Sequence, residues 1–131
     1  MRNLSANQKI QYMKVIKIEP VERFPLKSGS HHGTEIQTTV LKIAQTFGDA
    51  LINHPSGDGK CVYNWMFKCT SDDGSEFGIW LYDWKEPEPI RYYDRINWHI
   101  GGDSGEQTDA AGIALLNALN EPIESITFAW L

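Results

Sequence analysis

The chain holds only two cysteines, Cys61 and Cys69, and no apolar run near the roughly 18 residues a membrane-spanning helix needs. The two thiols fall in what reads as one strand, which puts them about 26 Å apart at about 3.3 Å per residue. A disulfide needs Cα atoms within about 7 Å, so they are predicted not to pair, which suits a reducing compartment. Their spacing is also far from a C-x-x-C metal or redox pair. The start, Met1 to Gln8, has no apolar signal core, so a cytoplasmic protein is expected. P-loop and dinucleotide-binding patterns are missing, as are repeats and low-complexity runs. Lys and Arg are absent from Ile96 to Leu131, which carries Asp103, Glu106, Asp109, Glu121 and Glu124. Residues 1–27 instead hold Arg2, Lys9, Lys14, Lys17, Arg23 and Lys27 against Glu19 and Glu22. Such asymmetry can drive docking of a partner or self-association into a homo-oligomer, although solvated faces of unrelated elements are the ordinary explanation.

What is present is the composition of one globular domain. The chain has 131 residues, 41% of them apolar, with five each of Trp, Tyr and Phe and a net charge of −5; that is enough to bury a core without staples. We read residues 1–131 as a single domain of α+β class: an antiparallel sheet of about four to five strands with two helices packed on one face. Residues 1–12 are polar and aperiodic, a loose arm. Met13–Glu19 is β-branched and precedes Pro20, an edge strand. Phe24–Gly33 reads as a loop. Ile36, Val40, Ile43, Ala44, Phe47 and Leu51 recur at helical spacing, with Thr38 or Thr39 as cap and Gly48 as stop. A strand over Ile96–Ile100 points Trp98 inward and Asn97 and His99 outward. Gly101–Gly105 reads as a turn into a second helix, capped by Thr108 or Asp109 and ended by Pro122. Ser125–Leu131 closes with a last strand.

The central feature is a hairpin. Lys60–Cys69 and Glu76–Trp84 both alternate, and Asp73-Gly74 between them is a strong two-residue turn signal. That turn places Phe67 opposite Trp80, Trp65 opposite Tyr82 and Tyr63 opposite Trp84. Six aromatics then share one face, with Trp65 buried beneath the helices.

Several constellations carry chemistry at the level of letters. Gly102-Asp103-Ser104-Gly105 matches the surroundings of a serine-protease nucleophile, but that chemistry needs a positioned His and Asp in a far longer fold. The same loop has the layout of an anion cradle, yet Asp103, Glu106 and Asp109 crowd it with negative charge. His31 and His32 are adjacent, so both can rarely hold one ion, and no metal or other cofactor is expected. His99 titrates near neutrality and faces outward. Trp80–Trp98 is dense in rings and cations, which can stack on and clamp a nucleotide; duplex nucleic acid does not fit the overall acidity. Asp83 is the one acid near a polar sheet position, which is too little for acid–base catalysis.

Four short stretches, Thr46-Phe47-Gly48, Tyr63-Asn64-Trp65, Tyr82-Asp83-Trp84-Lys85 and Trp98-His99-Ile100-Gly101-Gly102, occur together and in this order. The order resembles a set of small, mostly uncharacterised proteins of tailed bacteriophages. The resemblance covers about residues 31–105 and departs after Gly48, where Asp49-Ala50 replaces a Glu-Pro pair. It implies a viral accessory protein in the host cytoplasm that binds and inhibits or sequesters a host component, including a defence component. The alternatives are a binder of a nucleotide or nucleotide-derived signal and a small enzyme. No catalytic residue is assigned; the expected binding residues are Tyr82, Asp83, Trp84, Lys85, Arg91, Arg95 and His99.

Overall fold

The computed structural model describes residues 13–87 and 89–130; the expected N-terminal arm lies outside them. Strands β1 (Val15–Pro20), β2 (His31–Thr38), β3 (Ile52–Asn53), β4 (Tyr63–Ser71), β5 (Glu76–Asp83), β6 (Ile96–Gly102) and β7 (Ile126–Thr127) form one antiparallel sheet. Its order is β1-β4-β5-β6-β2-β7, with β3 beside β4. The sheet has seven strands where four to five are expected. The additional ones are β2, read as loop and helix, and the short β3.

Helix α1 spans Val40–Phe47, shorter than the apolar spacing suggests. Ile36 belongs to β2, where Thr34, Ile36 and Thr38 alternate inward with Glu35 and Gln37 outward. The Thr39 hydroxyl accepts from the Lys42 amide at 3.1 Å, and Gly48 ends the helix at φ 90°, a conformation that costs glycine nothing sterically. Helix α2 spans Gly105–Leu119 and ends on Asn120 in the left-handed region. Its cap is Ser104, not Thr108 or Asp109, because β6 runs on through Gly102. Thr108 and Asp109 are instead fully buried. The Asp109 carboxylate accepts from the Thr34 hydroxyl at 2.6 Å and from the Ala129 and Trp130 amides at 2.8 Å, tying the C-terminal segment to β2.

The core lies on the face lined by Trp65, Phe67, Ile79, Leu81, Trp98 and Ile100, to which α1 adds Ile43 and α2 adds Leu115 and Leu119. The sheet curls so that α2 touches β1 as well as β2, β5 and β6.

The hairpin register differs from the expected one by a single residue. Trp65 faces Leu81, Phe67 faces Ile79 and Tyr82 faces Asn64. The turn contains three residues, not two: the Ser71 amide bonds to the Ser75 carbonyl at 2.8 Å and the Gly74 amide to the Ser71 carbonyl at 3.0 Å. Gly74 takes φ 87°, as in a type I turn closed by a glycine bulge. The Asp73 carboxylate fixes that choice by accepting from the Ser75 amide at 2.9 Å. A one-residue slip moves every side chain of one strand to the other face. Trp65 and Phe67 therefore stay in the core, with 2% and 0% exposure, while Trp80 and Tyr82 move to the outer face.

Residues 21–30 run across part of that outer face. The Val21 amide donates to the Met66 carbonyl at 2.9 Å, and the Gly102 amide to the Ser30 carbonyl at 3.0 Å. The close approach needs glycines beneath it: a Cβ on Gly101 would strike the Gly29 carbonyl, and one on Gly78 the Phe24 ring. The Gly101-Gly102 pair is thus strand backbone under a crossing segment, not a turn.

Two outcomes follow. Trp65→Ala should cost about 3–5 kcal/mol in chemical denaturation, the range for removing a large buried aromatic, whereas Tyr82→Ala on the outer face should cost less than about 1.5 kcal/mol. Equal losses would contradict the register. Cys69 is fully buried, and desolvation pushes its thiol up to about 12. A thiol reagent should label the native chain only at Cys61 and reach Cys69 only on unfolding; rapid labelling of both would show that the core is open.

Candidate functional site on the outer sheet face

Where the crossing segment ends, a cluster of rings and charges is left part-exposed. Tyr82 on β5 pairs with His99 on β6, and His99 pairs with Glu35 on β2, so three outward side chains form one row across three strands. A fourth arrives through an irregularity. The pairing of β2 with β6 jumps between Glu35↔His99 and His31↔Gly101, with Gly33 at φ 112° inside the jump. A regular ladder would carry His31 four residues along β6 from His99; the bulge leaves it two away. Bulges re-aim side chains in this manner.

The rings are in contact. His31 and His99 stack with centroids 3.8 Å apart and planes within 12°. His99 meets Tyr82 edge-on at 5.6 Å and lies nearly parallel to Trp84 at 6.0 Å. The Glu35 carboxylate is 3.6 Å from His31 Nε2 and 3.5 Å from His99 Nε2. The Lys60 and Lys85 ammonium groups lie 5.5 and 5.6 Å from the Trp84 ring centroid, within range for cation–π attraction. Lys85 has φ 54°, and its amide donates to the Lys60 carbonyl at 2.7 Å, which joins the two lysine segments.

Burial shifts two groups of this cluster, His99 and Tyr82. It lowers the imidazole of His99, helped by electrostatic interaction with His31 and opposed by Glu35. It also raises the Tyr82 phenol, with Cys61 and Glu35 adding to the shift. The patch therefore offers a neutral aromatic wall, two cationic arms and three metal-type donor atoms.

Of the expected binding residues, the fold brings Tyr82, Trp84, Lys85 and His99 together. Asp83 points to the opposite face and is 1% exposed; its carboxylate accepts from the Tyr63 amide at 2.7 Å and the Val62 amide at 2.9 Å, which anchors the start of β4. Arg91 pairs with Asp94 at 3.3 Å. Arg95 reaches Glu121 at 3.0 Å and the Ser125 hydroxyl at 3.1 Å. His31, Glu35 and Lys60 were not expected in the site. Alternation of Thr34, Ile36 and Thr38 was the available signal for β2; the bulge left none.

Other motifs resolve as structure. Ser104 caps α2 by accepting from the Gln107 amide at 3.2 Å. Asp103 accepts from the Ser28 amide at 2.6 Å, so the supposed anion cradle is held by a carboxylate. His32 bonds through Nε2 to the Gly102 carbonyl at 2.8 Å and leaves His31 to the cluster.

No protein-family model, curated protein or solved structure matches the chain. Among the described residues no helix is long and apolar enough to cross a membrane.

Arg95 belongs to a tie, not to the patch. Glu121 is buried and also receives Thr38 at 2.8 Å and Lys42 at 3.1 Å. Burial raises this carboxyl, and the bonds from Thr38, Lys42 and Arg95 outweigh it, so the net shift is downward. A carboxyl depressed in the folded state adds stability above its unfolded value, and that stability fades as pH falls through the acid range. Glu121→Gln should therefore flatten the loss of unfolding free energy below about pH 4.5. Arg95→Ala should cost about 1–2 kcal/mol at neutral pH and leave binding at the patch intact. A pH profile unchanged in Glu121→Gln would refute the tie.

Proposed function

We propose that this is a binding protein that holds a small planar anion, a nucleotide or nucleotide-derived signal, against Tyr82, Trp84 and His99 on the outer sheet face. Lys60 and Lys85 take the phosphate charge in this reading, and the rings supply the sequence-tolerant stacking that bases accept. The net charge of −5 favours a short ligand over a long polyanion, whose affinity depends on many basic contacts.

The observation that carries the proposal is the backbone of Lys85. A lysine at φ 54° costs about 1–2 kcal/mol relative to an ordinary conformation, and glycine would relieve that cost. Outliers of this kind cluster at ligand clamps. Within the phage setting that the sequence resembles, holding such a ligand removes a host signal from circulation.

The test is a melting panel of mono-, di- and cyclic nucleotides. A true ligand at about 100 times its dissociation constant should add about 2–3 kcal/mol of stability. Lys85→Gly should keep or raise the stability of the free protein by up to about 1 kcal/mol while abolishing the ligand shift. A flat response across the panel removes the reading.

A second reading rests on a separate feature. Leu41, Ala44, Ala50, Tyr63 and Tyr92 line a shallow groove of about 150 Å³, beside exposed Leu51 and Ile52. That volume is below the roughly 300 Å³ at which ligand pockets begin, and it suits an apolar side chain from a host protein or from a second copy of this chain. Leu41→Lys would then eliminate a captured partner without altering nucleotide response. Capture that survives this change would exclude the groove.

A further inference from the structure

We propose that His31, Glu35 and His99 form a binding site for a late first-row divalent transition ion of the zinc class. The three side chains each offer one donor atom, and these atoms all lie within 4.8 Å of one another. Two imidazoles and one carboxylate are the donor set that suits zinc, iron, nickel and copper; magnesium and calcium prefer oxygen alone. The site is built on paired strands: Glu35 and His99 are direct partners across β2 and β6, so their separation is set by the ladder and not by a loop.

The bulge explains how His31 joins them. With regular pairing it would stand opposite Asp103; the irregularity sets it opposite Gly101. His32, next in the chain, turns the other way to the Gly102 carbonyl, so adjacent histidines do not compete for one ion.

Coordination requires one change. An imidazole lone pair lies in the ring plane, and two rings stacked within 12° do not aim theirs at one point. The His31 ring must tilt. Room for this lies on its outer side: the His31 side chain is part-exposed, and β7 pairs with β2 at Glu35 and Ile36 and not at His31. His99 is held between Tyr82 and Trp84 and provides the fixed donor. Three protein ligands leave at least one position of a tetrahedral ion open. A water or a small anion would complete the coordination there. The site does not depend on the nucleotide reading.

Zinc titrated into the full, chelator-stripped chain by calorimetry tests this, with cobalt(II) absorption as a second readout. One ion per chain should bind, and cobalt should develop the visible bands of a nitrogen-ligated site. Loss of a ligand should weaken affinity at least as much as loss of an outer partner does, about 10–100-fold. His31→Ala and Glu35→Gln should each do this while melting like the parent without metal. His54→Ala, in a distant loop, should bind as the parent does, and magnesium should give no heat. His99→Ala can lose its fold, so the variants at the two less buried ligands, His31 and Glu35, carry the decision. A parent chain that binds no zinc overturns the proposal, as does undiminished binding in His31→Ala and Glu35→Gln. No nucleotide is present in this assay, so its failure and the failure of nucleotide binding are separately visible.

Discussion

The turn Asp72-Asp73-Gly74 assigns each aromatic of the central hairpin to a side of the sheet. With three residues in the turn and Gly74 at φ 87°, Trp65 opposes Leu81 and Tyr82 opposes Asn64. Trp65 and Phe67 then meet Ile79, Leu81 and Trp98 in one apolar layer. Tyr82 and Trp84 are left to meet His99 on the other side. A two-residue turn would merge both sets on one face and turn Phe77, Ile79 and Leu81 outward in place of Trp80 and Tyr82. The Asp73 side chain, bonded to the Ser75 amide, favours the longer turn, and neighbouring strands inherit the choice because each is paired to the last.

The outer face is divided by what crosses it. Glycines at 78 and 101 let residues 21–30 lie close to β5 and β6, so Trp80 and Met66 are covered while Tyr82, Trp84 and His99 are left at the margin. The bulge in β2 then adds His31 and Glu35 to that margin. The proposed binding patch and the main apolar core thus lie on opposite sides of one sheet. Trp65, Asp83 and Glu121 hold the core face, and on the outer patch the part-exposed His31, Glu35 and Tyr82 contribute less to the scaffold than the more buried His99.

The sequence made much of this legible and hid the decisive parts. Alternation in 60–69 and 76–84 revealed both strands of the hairpin, and the Phe47-Gly48 stop and the Ile96–Ile100 alternation were readable from apolar spacing and turn chemistry alone. The α+β class followed. The register was misread because Asp-Gly is shared by two-residue turns and by three-residue turns with a glycine bulge; the Ser71–Ser75 backbone bond and the Asp73–Ser75 bonds separate them. β2 was read as loop and helix since Ile36 stands four residues before Val40, which matches helical spacing by coincidence. Four of the seven expected site residues converge. Asp83 and Arg95 did not join them because a polar residue in a strand or near its end looks the same whether it binds a ligand or satisfies buried backbone and carboxyl groups, and only the fold shows Tyr63 and Glu121 waiting for them.

The hairpin register is the claim on which the outer patch depends, and cross-strand nuclear Overhauser contacts measure it directly. In an antiparallel pair, directly opposed residues bring backbone protons within range of detection, at Cα separations of about 4.5–5.5 Å. Contacts are expected to link Met66 with Trp80, Trp65 with Leu81 and Asn64 with Tyr82. Contacts that instead link Trp65 with Tyr82 and Phe67 with Trp80 would return those rings to the core face and contradict the site.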